Sequence, residues 1–334
     1  MDSDPGPDAA ERLVERADVD ELLRVIDRLS GAADWPELLR VRDLCRRAEG
    51  RGRQLWPVAS HAEYRLALEA SPPWTAQALT EGAGRFALGP LAEVAASTHS
   101  WAELAPHLSA SPLRSLVAYE RVVRGEDLSR DASVDRSMFD LPTALEDWEP
   151  TYPVAHYEPW KANFPSPAAP SARAEEELAP PEECELLADL TATEALSELV
   201  RPWTTESNGQ ADAVAVRGDV PEALGALGVP YARIRRIDAE NAFAAMAWAA
   251  ANGGAHGRRR GMATGRFLAW WAAAALVDLA DDWPPEPEEL GDLASDLRWW
   301  LWETGEPVTG WSLRLAVHDA ESAAAWALDA HDHA

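Results

Sequence analysis

Between positions 252 and 271 the chain sets Gly253, Gly254, Gly257, Gly261 and Gly265 among His256 and four arginines, Arg258, Arg259, Arg260 and Arg266. These residue types suit anion binding. Guanidiniums present forked donors, imidazole adds another, and glycines let backbone N–H groups approach a phosphate or carboxylate. The candidate anion-binding set is therefore Gly253, Gly254, His256, Gly257, Arg258, Arg259, Arg260 and Arg266. A helix starting near Ala255 or His256 would add the positive end of its dipole. A packing reading competes. Glycines four apart fall on nearly one helix face, which continues into Leu268, Trp271, Ala272 and Ala275 and lets another helix approach closely. Arg259, Arg266 and Trp270 then lie on the opposite side. Without a GxxxxGK[ST] or GxGxxG pattern, packing is the stronger of the two.

Other chemistry is sparse. His331, Asp332 and His333 are spaced to hold a divalent ion but read as a terminal tail. His61, His99, His107 and His318 read as polar surface or helix-end residues. Cys45 and Cys184 have no second ligand nearby and read as free thiols. The pairs Asp281-Asp282 and Glu288-Glu289 read as a loop and a helix start. Trp299, Trp300 and Trp302 read as one helix that, with Trp270 and Trp271, lines either core or a partner surface. No catalytic residue, metal ligand or cofactor is assigned.

The elements that must position these residues change character along the 334 positions. Residues 1–8 read as a disordered tail. Residues 9–125 are helical throughout, with Asp34 and Ser100 as caps before similar Trp-x-Glu-Leu runs, which suggests a HEAT-like array or an irregular bundle. Residues 126–183 form a proline-rich extended arm carrying Trp148, Tyr152, Tyr157, Trp160 and Phe164, with residues 166–183 as an acidic linker. Residues 184–334 read as a small α/β domain with about three strands. Two of them, 211–217 and 231–237, form a parallel β-α-β unit; 311–317 is the third, and helices cover 286–303 and the segment after Asp319. The fold class is mainly α with a small α/β part.

A net charge of −27 argues against a nucleic-acid binder and favours a basic protein partner. The uncharged run 267–277 is too short to span a bilayer, and the acidic N-terminus lacks an apolar signal region, so the expected location is cytoplasmic. Lys161 is the sole lysine, which fits a high-GC coding bias. The stretches 253–261, 265–271 and 310–317 resemble an actinobacterial family of unknown function; that resemblance covers mainly the last 100 residues and implies no activity. The leading expectation is a non-enzymatic interaction or scaffold protein. An anionic-ligand protein or enzyme using residues 253–266 is the alternative, and an acidic immunity-type inhibitor a third.

Overall fold

The computed structural model describes residues 7–167, 175–305 and 309–333. The chain divides into two compact units, one comprising Met1–Arg121 with Ala155–Phe164, the other Val122–Val154 with Pro165–Ala334.

The first unit contains α1 (Pro7–Arg16), α2 (Val19–Gly31), α3 (Trp35–Glu49), α4 (Trp56–Glu69), α5 (Pro72–Ala78), α6 (Leu91–Thr98), the single turn α7 (Trp101–Leu104) and α8 (Pro112–Val122). A short antiparallel hairpin of β1 (His156–Glu158) and β2 (Lys161–Asn163) completes it. α1 and α2 are parted where Ala17 takes a φ of 52° and Asp18 caps α2 by accepting from the Glu21 N–H at 3.2 Å. Asp34 caps α3 in the same way. The Ser100 run opens only a four-residue helix, whereas the Asp34 run opens one of fifteen, so their likeness is a shared cap and no repeat unit. α4 is the axis of this unit. Leu55, Val58, Ala62 and Leu66 bury one side against Leu22, Ile26, Leu38 and Val41, and Glu63, Tyr64 and Leu68 are buried as well. The expected tail at 1–8 lies outside the described residues but for Pro7 and Asp8, where α1 begins.

The second unit overturns the expected three-stranded domain. It holds β3 (Glu176–Leu178), β4 (Glu185–Leu186), α9 (Leu190–Leu199), α10 (Arg201–Thr205), β5 (Gln210–Arg217), α11 (Val220–Ala226), β6 (Ala232–Ile237), α12 (Ala239–Ala251), α13 (Met262–Leu276), α14 (Pro287–Asp296), β7 (Arg298–Glu303), β8 (Trp311–Asp319) and β9 (Ala324–Asp332). Seven strands form one sheet in the order β3-β6-β7-β8-β9-β5-β4, and every pairing is antiparallel. The expected parallel β-α-β unit is absent among the described residues, because three strands separate β5 from β6. Part of the acidic stretch 166–183 is strand β3, and residues 168–174 of it lie outside the described residues.

Four strands of the sheet, β3, β4, β7 and β9, lie outside the three expected, and for β7 and β9 the physical reason is plain. Positions 298–303 continue the apolar rhythm of α14, but the backbone turns extended at Leu297, and three tryptophans then favour a pleated surface over a helix. The last strand is alanine-rich, which mimics a helix former. Buried on both faces between β8 and β5, it needs small side chains rather than helix propensity. One sheet face packs α11, with Val220, Ala223 and Leu224 against Val216, Ile234, Trp302 and Ala316. By strand alternation the other face carries Trp299, Leu315 and Val317, and Phe243 of α12 meets Trp299 there at 6.5 Å. Among the described residues no helix is long and apolar enough to cross a membrane.

Candidate functional site

Residues 253–266 are not one glycine-striped helix. α12 stops at Asn252, a loop follows to Gly261, and only Gly265 of the stripe lies within α13. Gly253 and Gly257 do meet, inside a loop: a Cβ on Gly253 would lie 2.3 Å from the Gly257 carbonyl carbon. Three of the loop's N–H groups are engaged by side chains of the protein itself. Asp332 accepts from Ala255 N at 2.6 Å, Ser207 Oγ from His256 N at 3.0 Å, and Glu206 from Arg258 N at 3.4 Å. The oxygens an anion would bring are thus supplied by side chains of this unit. Asp332 belongs to β9 and is fully buried, far from the expected tail.

The arginines disperse in role. Arg259 donates to Asn252 Oδ1 at 2.6 Å, and Arg260 Nε to the Ala250 carbonyl at 3.2 Å. Arg260 Nη2 is buried without a hydrogen-bond partner. Arg266, expected on the solvent side, is 0 % exposed. Its Nε and Nη2 clasp Glu149 at 2.8 and 2.6 Å, and Nη1 and Nη2 also donate to the carbonyls of Pro142 and Ala144. Tyr152 and Trp270 donate to the same carboxylate. Burial pushes the Glu149 carboxyl up, but the Arg266 charge and these hydrogen bonds outweigh it and hold the carboxyl below its usual range.

A different site emerges in the helical unit. Trp56 and His61 on α4, Phe86 and Leu88 in the loop before α6, and Trp160 in the turn of the β1–β2 hairpin enclose a cleft of about 230 Å³. Its walls are apolar yet face water: Trp160 is 57 % exposed, Phe86 45 %, Trp56 42 % and Leu88 42 %. The Trp56 and Phe86 rings lie 3.8 Å apart, and Trp160 stacks on His61 at 4.2 Å. Tyr64 at the floor donates to the Glu158 carbonyl at 2.5 Å, which ties the hairpin to α4. His61 is half-buried in mid-helix, contrary to the expected surface or helix-end place. Burial, then the charge of Arg65, pushes its pKa down to about 4.

The loop that carries Phe86 is held by Glu63, fully buried on α4. Its Oε1 accepts from Arg46 Nε at 2.7 Å and its Oε2 from Gly84 N at 2.6 Å; Ser60 accepts from Phe86 N at 3.4 Å. Behind Trp56 and Phe86 a second recess of about 580 Å³ is lined by Arg46, Glu49, Arg53, Ser60 and Arg85. Sequence reading missed this site because its walls come from three separate stretches of chain. The local signal was the Arg85-Phe86 pair in a loop rich in glycine.

A family model described as Family of unknown function (DUF6183) matches residues 20–334. No curated protein and no solved structure matches the chain.

Proposed function

We propose that this chain, which belongs to the family of unknown function DUF6183, is a non-enzymatic protein–protein interaction protein whose contact surface is the cleft of α4, the Phe86 loop and the hairpin. The observation that carries this reading is the exposure of four large apolar side chains around one concave surface. Isolated exposed apolar residues are ordinary, but a contiguous aromatic patch marks a surface that is covered in use. Tryptophan and arginine are also the types that dominate binding energy at interfaces. The test is crosslinked capture from the native cell extract by wild type and by a Phe86→Ala, Trp160→Ala variant of equal melting temperature. A partner retained by the first and lost by the second supports the reading; identical captured sets overturn it.

A second reading keeps the loop of residues 253–260 as a small-anion site, favoured by the buried, unpartnered Nη2 of Arg260. Thermal shift with inorganic phosphate and small carboxylates, repeated on Arg260→Ala, decides it. A shift that the variant loses supports it, and no shift removes it.

A further inference from the structure

We infer that the cleft and the recess behind it together receive an acidic linear peptide segment bearing one aromatic side chain, an inference that rests on the interaction reading above. The two hollows adjoin, with Trp56 and Phe86 in the lining of both, so an extended occupant that crosses these rings reaches each. The first is apolar. A dry cavity of about 150 Å³ takes up benzene, so about 230 Å³ admits one aromatic ring.

The second hollow sets the sign of charge. Arg46 is committed to Glu63 at 2.6 Å. Arg53 reaches only Glu15, at 4.0 Å, and Arg85 has no carboxylate within ion-pairing range among the described residues; its guanidinium lies 5.5 Å from the Phe86 ring centre. Against these two cations the recess is lined by one carboxylate, Glu49, whose Oε1 is buried without a hydrogen-bond partner. Burial pushes the Glu49 carboxyl up and so weakens its opposition. A chain of net charge −27 thus reverses sign at this point. The basic partner expected from the overall charge does not suit the rim, whereas carboxylates beside the anchor would pair with Arg53 and Arg85. Trp56, Phe86, Leu88 and Trp160 all stay more than 40 % exposed around the cleft, the arrangement expected of a surface that a peptide covers.

The experiment measures tryptophan fluorescence of the full chain at 150 mM salt, where the Debye length is about 8 Å and remote charges are screened. The probes are capped peptides Glu-Glu-Phe-Glu-Glu, Glu-Glu-Ala-Glu-Glu and Lys-Lys-Phe-Lys-Lys, with phenyl phosphate as the small-molecule arm. The acidic phenylalanine peptide is expected to bind about tenfold or more tighter than the other three. Arg53→Ala with Arg85→Ala should weaken it about tenfold at unchanged melting temperature, since both side chains are exposed. Preference for the lysine peptide overturns the acidic occupant but leaves the interaction reading standing. Equal binding of phenyl phosphate overturns the peptide class and counts against that reading as well. Failure of all four probes overturns this inference alone, because partner capture tests the broader reading independently.

Discussion

The Arg266 guanidinium and the Glu149 carboxylate, 117 residues apart in sequence, form a fully buried two-contact ion pair between α13 and the irregular segment before the hairpin. The pair satisfies two backbone carbonyls, a tyrosine and a tryptophan at once. An arginine chosen from the sequence as an anion receptor is thereby occupied by an anion of its own chain.

Removing either partner should therefore be costly. Glu149→Ala leaves a guanidinium uncompensated in the interior, and a loss of about 3–5 kcal/mol is expected in urea unfolding. Arg266→Met combined with Glu149→Leu should lose much less than the two single changes added together. Additive losses would show that the two side chains do not act as a pair. The pH dependence has a definite sign: a carboxyl held below its unfolded value contributes stability above about pH 4.3, and loses it as pH falls through its folded pKa.

Local signals were legible where chemistry is local. The cap at Asp34 and the existence of strand β8 follow from residue type and period alone. What was not legible depended on burial by distant chain. Trp302 and Ala327 sit in a strand interior because a seven-stranded sheet surrounds them, and no window of ten residues contains that fact. Arg266 falls in the same class, since its partners lie more than 100 positions away. The cleft needed Trp56, Phe86 and Trp160 to converge, and only the fold converges them.

Glu63 is expected to govern the loop bearing Arg85 and Phe86. Glu63→Ala removes the acceptor for Arg46 and Gly84, so hydrogen exchange at the Gly84 amide should quicken while the amides of α2 keep their protection. The global loss should be about 1–3 kcal/mol, since Arg46 remains one-third exposed and regains water. Unchanged exchange at Gly84 would mean the loop is held otherwise.

His61 supplies a pH test confined to the cleft. Its folded pKa of about 4 lies below the unfolded value of about 6.5, so the unfolded chain binds the proton more readily. The contribution to stability is complete above pH 6.5 and is lost as pH falls toward 4, by about 1.4 kcal/mol per unit in that window. Against wild type, His61→Gln should show a flatter decline between those limits, and Trp160 fluorescence should change as the stacked ring becomes charged. Parallel stability curves for the two proteins would exclude a neutral, buried His61.

Gly265 separates close packing from ligand approach as the reason for glycine on α13. A Cβ there would lie 2.2 Å from the Ala247 carbonyl oxygen and 3.0 Å from the Ala251 Cβ, so α12 would have to move away. Gly265→Ala is expected to destabilise by about 1–3 kcal/mol despite the better helix propensity of alanine. Gly31 is the matched control: it ends α2, a Cβ placed there would meet nothing within 4 Å, and alanine at that position should gain about 0.5 kcal/mol. Opposite signs at the two positions, read as shifts in melting temperature, establish helix contact as the cause. A neutral Gly265→Ala would mean that the contact with α12 does not require glycine there.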